Sequence, residues 1–144
     1  MPPHLMSTHF ALNNSPLMRE IPALQLLVLF GSRVKDTHTD QSDWDLAIAI
    51  NPDRPLSFSD WLSLPHTLGR ILNLDSDRID LVDLNHCSPV LGYVIAKEGQ
   101  LLYEAEPDLF FHFQLQAWKR YADTAYLRRY QDDYIRQTLE QLKQ

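Results

Sequence analysis

Residues 26–32 read LLVLFGS and residues 43–50 read DWDLAIAI. Each stretch contains an apolar run of strand length, which predicts a buried β-strand. Gly31 and Ser32 follow the first run, and a glycine allows backbone N–H groups and a hydroxyl to approach a phosphate closely. The end of the first strand is therefore a candidate phosphate-binding turn.

Two aspartates open the second strand. Asp43 and Asp45 are two positions apart, so in a strand they point to the same face, roughly 7 Å apart along the chain. Two carboxylates on one face suit Mg²⁺, a hard cation whose oxygen ligands are completed by water and substrate phosphates. A Gly-Ser turn or a D-x-D loop edge alone is an ordinary surface feature. Here both adjoin apolar strands, and the combination predicts nucleotide chemistry.

The two segments resemble the signature of the DNA polymerase β-like nucleotidyltransferase superfamily, and in particular its minimal nucleotidyltransferases. Those proteins carry G-S, ten residues and D-x-D, as this chain does from Gly31 to Asp45. The family usually continues G-S-R-A-R-G, whereas this chain has Val34, Lys35 and Asp36 after its first arginine. A lysine thus replaces the second arginine and the glycine is lost, which affects the loop conformation after Lys35 and not the metal site.

The resemblance implies a third carboxylate on a neighbouring strand. The run 78–84, RIDLVDL, predicts a short strand in which Asp80 and Asp83 occupy opposite faces. Asp80 matches the family's position. Asp83 lies at the strand exit beside Asn85, where an Asx turn or a helix cap is the ordinary explanation. Asp80 is the predicted residue, and Asp83 stays a competitor because a sequence does not fix strand register to one residue.

The resemblance also implies a reaction, the transfer of AMP from ATP to a hydroxyl with two Mg²⁺ ions. Asp43 and Asp45 are expected to bridge the ions, and Asp80 to hold the ion on the nucleophile side. Arg33 and Lys35 are expected to add positive charge for the triphosphate, although solvated loop charges explain them equally well. The candidate catalytic and metal-binding residues are Asp43, Asp45 and Asp80, and the candidate nucleotide-binding residues are Gly31, Ser32, Arg33 and Lys35.

The composition fits one compact domain. A chain of 144 residues with 44% apolar residues is long enough to bury a core, and no repeat or change in composition divides it. We expect residues 1–14 to be a loose tail and residues 15–144 to be a single minimal nucleotidyltransferase domain. The formal charge of −6 argues against direct binding of long nucleic acid, which depends on a basic surface.

The single cysteine, Cys87, has no Cys or His partners at metal-ligand spacing, which fits a reducing cytoplasm and no zinc site. No apolar stretch reaches the length of a membrane span, and the N-terminus lacks a basic segment followed by an apolar one. The sequence therefore predicts a soluble cytoplasmic protein that does not bind a membrane.

The coarse pattern predicts an α/β (α+β) fold, a polymerase β-like core with a small mixed sheet flanked by helices. The segment 59–72 places Leu62 and Leu68 at helical spacing, although Pro65 is expected to kink or split this helix. A long C-terminal helix is predicted from Asp108, and the aromatic residues near its end either dock on a partner protein or belong to an ordinary amphipathic helix. The apolar stripe expected to be mostly core is Phe111, Leu115, Trp118, Ala122 and Ala125.

A chain with little beyond a catalytic core needs a partner to supply the acceptor surface, which favours a protein acceptor. The resemblance implies the antitoxin of a HEPN/MNT toxin-antitoxin pair, which transfers AMP to a tyrosine hydroxyl of its cognate HEPN ribonuclease toxin in a hetero-oligomer. One alternative is an antitoxin that acts by binding alone, against which the intact Ser32, Asp43, Asp45 and Asp80 count. The other is a nucleotidyltransferase for a small molecule such as an aminoglycoside, which the missing substrate domain disfavours.

Overall fold

A computed structural model describes residues 14–35 and 37–143. The predicted loose tail, residues 1–14, lies outside the described residues apart from Asn14, and so does Asp36. The described residues form five α-helices, four strands and two single 3₁₀ turns. These are α1 Asn14–Glu20, β1 Leu24–Phe30, a turn Gly31–Arg33, β2 Trp44–Ile50, α2 Phe58–Leu72, a turn Ser76–Arg78, β3 Ile79–Asp83, α3 Pro89–Glu98, β4 Gln100–Glu104, α4 Leu109–Asp123 and α5 Ala125–Leu142.

The four strands form one mixed sheet in the order β3-β2-β1-β4. β1 pairs antiparallel with both β2 and β4, whereas β2 pairs parallel with β3. A parallel pair needs a crossover connection, and α2 supplies it. The predicted small mixed sheet flanked by helices is confirmed.

Helices cover both faces of this sheet. Leu46 of β2 is fully buried in one cluster together with Leu68 of α2. Ala47 points the other way and belongs to a second cluster with Ile95 of α3, against which Phe113 of α4 packs. The sheet is therefore buried on an α1–α2 face and on an α3–α4 face, which explains why the β2 run is continuously apolar.

Helix α2 is a single helix of 15 residues that runs through Pro65. Ser57 caps its first turn, since its hydroxyl accepts a hydrogen bond from the N–H of Asp60 at 3.2 Å. The expected split at Pro65 does not occur, because buried leucines on both sides of the proline hold the two halves on the sheet. Leu62, which lies at helical spacing with Leu68 in the sequence, does not share its burial, since the Leu62 side chain is 66% exposed.

The predicted C-terminal helix is interrupted at Thr124, which has φ −99° and ψ 7°. The Thr124 hydroxyl donates to the carbonyl of Arg120 at 2.9 Å, a local bond that competes with regular helix geometry. The prediction that the stripe through Phe111, Leu115 and Trp118 is core was wrong, because these side chains are 53%, 44% and 43% exposed. The residues that pack against the sheet cluster are instead Leu109, Phe110 and Phe113, and Ala117 is buried as well.

Among the helices of the described residues, none is long and apolar enough to cross a membrane.

Candidate active site

The predicted carboxylates meet at one edge of the sheet, where β1 ends and β2 and β3 begin. Asp45 is in register with Phe30 of β1 on one side and with Asp80 of β3 on the other. Paired residues on neighbouring strands lie about 4.8 Å apart and project to the same face. Asp83 is in register with Ile48, three residues further along β2. The register therefore brings Asp80, rather than Asp83, beside Asp45.

Asp83 has local partners at the exit of β3. Its Oδ1 accepts a hydrogen bond from the N–H of Asn85 at 2.9 Å, and its Oδ2 lies 2.7 Å from Nδ1 of His86. This is the Asx-type turn that the sequence suggested as the ordinary explanation of the residue.

Gly31 lets the end of β1 lie against Asp45. Its φ of +79° belongs to the left-handed region that favours glycine. A Cβ at this position would lie 3.0 Å from Cγ of Asp45, and closer still to the carboxylate oxygen Oδ2. Both the backbone conformation and the available space therefore require a glycine beside the carboxylate.

The three carboxylates act on one another electrostatically. Burial raises the pKa of Asp45, and the negative charges of Asp80 and Asp43 raise it further. Asp43 and Asp80 are exposed, whereas Asp45 is half-buried. A cation bound among the three would remove the repulsion that raises the Asp45 pKa. The charge distribution at this edge therefore favours cation binding.

The donor atoms at this edge are carboxylate oxygens, the type that Mg²⁺ prefers. Over residues 14–35 and 37–143, however, no three Asp, Glu, His or Cys side chains are grouped so as to hold a metal ion. Asp43 and Asp80 are exposed, and exposed side chains change rotamer readily. The described residues thus provide suitable Mg²⁺ ligands without a preassembled three-ligand group.

The turn after β1 carries the predicted phosphate-binding groups. It is closed by hydrogen bonds from the N–H of Val34 to the Gly31 carbonyl at 3.1 Å and from the N–H of Lys35 to the Ser32 carbonyl at 3.2 Å. Ser32 is half-buried in this turn. The Lys35 ammonium lies 2.9 Å from the carboxylate of Glu98 at the end of α3. Lys35 is therefore ion-paired with a residue that the sequence analysis did not single out.

Arg33 makes its contacts within the protein. Its Nη2 donates to the backbone carbonyl of Ser42 at 2.8 Å, and its guanidinium carbon lies 4.1 Å from the centre of the Trp44 ring. Trp44 is buried on the α1–α2 face, whereas Asp45 alternates to the opposite face. The Arg33 guanidinium is thus held against the loop before β2, on the other side of the sheet from the carboxylate of Asp45.

Arg78 is a second residue that the sequence analysis missed. Its Nη1 donates to the carbonyl of Asp40 at 2.9 Å, and its Nη2 donates to Oε1 of Gln41 at 2.6 Å. The sequence offers one indication that Arg78 belongs near the site, which is its position two residues before Asp80. Arg78 links the start of β3 to the loop that leads into β2.

A cavity of about 430 Å³ lies at the opposite end of the sheet, between α3 and α4. Its lining includes Leu26 at the start of β1, Ala49 at the end of β2 and Leu84 just after β3, and it includes none of the predicted site residues. The carboxylates lie instead at the other end of the sheet, where Asp43 and Asp80 are exposed to solvent.

Comparison with known proteins gives the family. The model of the family described as polymerase beta, nucleotidyltransferase, matches residues 15–108. The chain belongs to this family. The match to the nucleotidyltransferase family includes all four strands and both carboxylate-bearing segments, and it ends immediately before α4.

Two relatives of this chain are both named protein adenylyltransferase MntA. The chain is 39% identical over 106 residues to the protein adenylyltransferase MntA of Aphanizomenon flos-aquae (strain 2012/KM1/D3). That match covers 68% of this chain and 69% of that protein. It is 38% identical over 93 residues to the protein adenylyltransferase MntA of Shewanella oneidensis strain MR-1, which covers 64% of this chain and 63% of that protein. The second match thus spans less than two thirds of the relative's length.

Solved structures of toxin-antitoxin complexes are similar as well. A chain of one such complex, crystallised with AMP-PNP, has a TM-score of 0.65 and 28% identity, over 86% of this chain and 99% of that chain. A chain of a complex between a tri-AMPylated Shewanella oneidensis HEPN toxin and an MNT antitoxin has a TM-score of 0.59 and 27% identity, over 83% of this chain and 90% of that chain. The predicted resemblance to minimal nucleotidyltransferases of toxin-antitoxin pairs, and the predicted fold, are confirmed.

Proposed function

We propose that this chain is the antitoxin of a HEPN/MNT pair and acts as a protein adenylyltransferase. It transfers AMP from ATP to a tyrosine hydroxyl of its cognate HEPN ribonuclease toxin and so neutralises the toxin. The observation that carries the proposal is the pairing of Asp45 with Asp80, in register, beside the Gly31 turn. Two relatives named as protein adenylyltransferases, and a similar complex that contains an AMPylated HEPN toxin, support the same activity.

Asp43, Asp45 and Asp80 are the proposed ligands of two Mg²⁺ ions. When bound, the ions would stabilise the pyrophosphate leaving group and lower the pKa of the attacking tyrosine hydroxyl. Asp43 and Asp45 would hold both ions, and Asp80 would hold the ion on the nucleophile side and accept the tyrosine proton. The AMP-PNP in a similar complex supports ATP as the nucleotide.

The turn after β1 is proposed to bind the triphosphate through the backbone of Gly31 and the hydroxyl of Ser32. Lys35 adds a positive charge, and its exposed ion pair with Glu98 exchanges for a phosphate at small cost. The contacts of Arg33 with the loop before β2 favour Lys35 as the cation that binds phosphate.

The toxin is proposed to supply the acceptor surface in a hetero-oligomer. The carboxylate edge is exposed to solvent at Asp43 and Asp80.

The described residues form a single sheet with its helices, which supports the proposal of one domain over residues 15–144. The proposed compartment is the cytoplasm, where ATP is abundant and the free thiol of Cys87 stays reduced.

Measurement of the intact mass of the toxin tests this proposal. When the cognate HEPN toxin is incubated with this chain, ATP and Mg²⁺, we expect mass increments of AMP and a parallel loss of ribonuclease activity. The double variant Asp43→Asn/Asp45→Asn is expected to give no increment. Asp53→Asn is the matched control, because Asp53 is an exposed aspartate in the turn after β2 and is expected to keep full activity.

Two outcomes would contradict the proposal. A toxin that stays unmodified but is inhibited in a stable complex would indicate neutralisation by binding alone. A toxin that stays unmodified while an aminoglycoside receives AMP would indicate a small-molecule nucleotidyltransferase.

A further inference from the structure

The loop that leads into β2, residues 37–43, carries the first carboxylate of the site. We propose that Arg33 and Arg78 are positioning residues, which hold this loop from two sides and thereby fix Asp43 and Asp45 for metal binding. This inference rests on the proposed function, because it concerns the same carboxylates.

The loop is a compact turn with its own internal hydrogen bonds. The N–H of Thr39 donates to Oγ of Ser42 at 2.9 Å, and the N–H of Ser42 donates to the carbonyl of Thr39 at 3.1 Å. The N–H of Gln41 donates to Oγ1 of Thr39 at 3.2 Å. These bonds engage the N–H groups of Thr39, Gln41 and Ser42, while the carbonyls of Asp40 and Ser42 accept from outside the loop.

Arg33 holds the end of the loop nearest to β2. Its Nη2 donates to the carbonyl of Ser42, which belongs to the peptide unit that begins Asp43. Its guanidinium also stacks on the ring of Trp44, the residue between the two aspartates. A shift of Asp43 or Asp45 would therefore disturb a contact of Arg33.

Arg78 holds the middle of the loop. It donates to the carbonyl of Asp40 and to the side chain of Gln41, at 2.9 Å and 2.6 Å. Because Arg78 stands two residues before Asp80, these bonds also fix the loop relative to β3. Together the two arginines connect the turn after β1, the entry to β2 and the entry to β3.

The alternative role for Arg33 is a direct contact with the triphosphate. The guanidinium lies on Trp44, which is buried on the face opposite to the Asp45 carboxylate. Its Nε atom is buried and has no hydrogen-bond partner among the described residues. The side chain is thus half-buried and held by Ser42 and Trp44, and this geometry favours positioning over phosphate binding.

Metal affinity of the chain alone tests the inference. With Mn²⁺ as the probe and neither nucleotide nor toxin present, we expect Arg33→Met and Arg78→Met each to weaken binding by about tenfold or more, as loss of a residue that orients metal ligands does. Arg33→Lys is expected not to restore affinity, since lysine lacks the planar fork that bonds Ser42 and stacks on Trp44. Arg129→Met, at an exposed arginine of α5, is the matched control and should leave the affinity unchanged.

Amide hydrogen exchange provides a second readout. We expect exchange in residues 39–43 to become about tenfold faster in Arg33→Met and Arg78→Met, without change in β1. Gln41→Ala, which removes one partner of Arg78 and leaves both arginines in place, is expected to show the same change to a smaller extent. This milder variant keeps the test valid if an arginine variant fails to fold.

The inference is overturned if Arg33→Met leaves Mn²⁺ affinity and loop exchange unchanged but raises the Kd for ATP binding to the chain alone, and if Arg33→Lys restores that Kd. These readouts do not involve the toxin, so the two proposals fail separately. Arginine variants with the expected effects in a chain that never modifies the toxin would contradict the proposed function alone. If the chain does modify the toxin, but the arginine variants have unchanged metal affinity and loop exchange, the positioning role alone is contradicted.

Discussion

Asp45, a proposed metal ligand, has an unfavourable electrostatic environment. Its pKa is raised by burial and by Asp80 and Asp43, so the folded chain binds this proton more tightly than the unfolded chain does. Stability therefore falls as the pH rises from the ordinary aspartate pKa through the raised value. We expect Asp45→Asn to raise the melting temperature at pH 7 without divalent cations, and the gain to disappear near pH 3, at which Asp45 is protonated in both states.

The same substitution is expected to lower the rate of AMP transfer by at least about a hundredfold, since it removes metal-ion stabilisation worth several kcal/mol. Thermal melts at pH 7 and pH 3 check the expected change in melting temperature, and the intact-mass assay checks the rate of AMP transfer. Asp53→Asn should change neither quantity. A melting temperature for Asp45→Asn below that of the wild type at pH 7 would refute the electrostatic argument.

Gly31 is the residue at which a single methyl group is expected to damage the site. In Gly31→Ala the new Cβ meets the Asp45 carboxylate, and the positive φ adds strain of about 1 kcal/mol or more. We expect lower stability and loss of most AMP transfer, measured by thermal melts and intact mass. Gly92→Ala is the matched control, because its Cβ would meet the sulfur of Cys87 at an ordinary 3.5 Å.

If Lys35 binds the triphosphate as proposed, Glu98 competes with the triphosphate for its ammonium group. In Glu98→Gln the Lys35 ammonium loses its carboxylate partner, and exposed ion pairs of this kind are worth at most about 1 kcal/mol. We expect the KM for ATP to fall by about two- to fivefold with kcat unchanged, as measured by steady-state kinetics. Glu20→Gln breaks the ion pair with Arg70 between α1 and α2 instead and should leave the KM as it is. A higher KM in Glu98→Gln would exclude Lys35 as a phosphate ligand.

At the residue scale the sequence indicated the positions of the carboxylates better than the partners of the cations. Asp43 and Asp45 share a face by strand alternation, whereas Asp80 is preferred to Asp83 through the family resemblance, because a sequence does not fix strand register to one residue. The partners of Arg33, Lys35 and Arg78 lie 9, 63 and 37 or 38 residues away in the chain. Long flexible side chains choose such partners through tertiary structure, so no local pattern reveals them.

The junction between α4 and α5 depends on a stack of side chains. Tyr121 lies between the ring of Tyr93, with a centroid distance of 4.1 Å, and the guanidinium of Arg128 at 3.6 Å. Arg128 also donates to Oγ1 of Thr124 at 3.0 Å. We expect Arg128→Met to increase amide exchange along α5 by about tenfold, since it removes charged hydrogen bonds, while the sheet is unaffected. Arg129→Met should leave exchange in α5 unchanged, and equal effects of the two variants would contradict the role of the stack.

Strands β1 and β2 could be predicted closely, because each contains an apolar run bounded by turn residues. The buried faces of the helices were harder to predict. The α4 sequence offers Phe110, Phe111 and Phe113, which fit two helical faces, and the stripe with the more regular spacing turned out to be exposed. Hydrophobic spacing identifies a helix but selects the buried face only when a single apolar face exists. Likewise, the packing of the buried leucines of α2 outweighs the helix-breaking tendency of Pro65. Local helix propensity does not include such tertiary packing.

Considered as a whole, the molecule has a core that does not include its last helix. No residue of α5 is buried, whereas Leu68 of α2 is completely buried in the main cluster. We expect removal of residues 125–144 to lower the melting temperature by less than about 4 °C, while Leu68→Ala lowers it by at least about 6 °C, in line with a cost of 2–5 kcal/mol. Calorimetry of the two variants checks this. A larger effect from the truncation would mean that α5 contributes to the stability of the core.

The sheet order also determines when the carboxylates come together. β1 and β2 are neighbours in the chain and pair antiparallel, but Asp45 meets Asp80 only after the α2 crossover has closed a parallel pair, and β1 gains its second neighbour only from β4. Pairings between distant residues form slowly, because loop closure costs entropy before contacts repay it. We therefore expect the carboxylate edge to be completed late in folding. A nascent chain that has left the ribosome only as far as β2 carries Asp43 and Asp45 without Asp80, and we expect it to have no AMP-transfer activity.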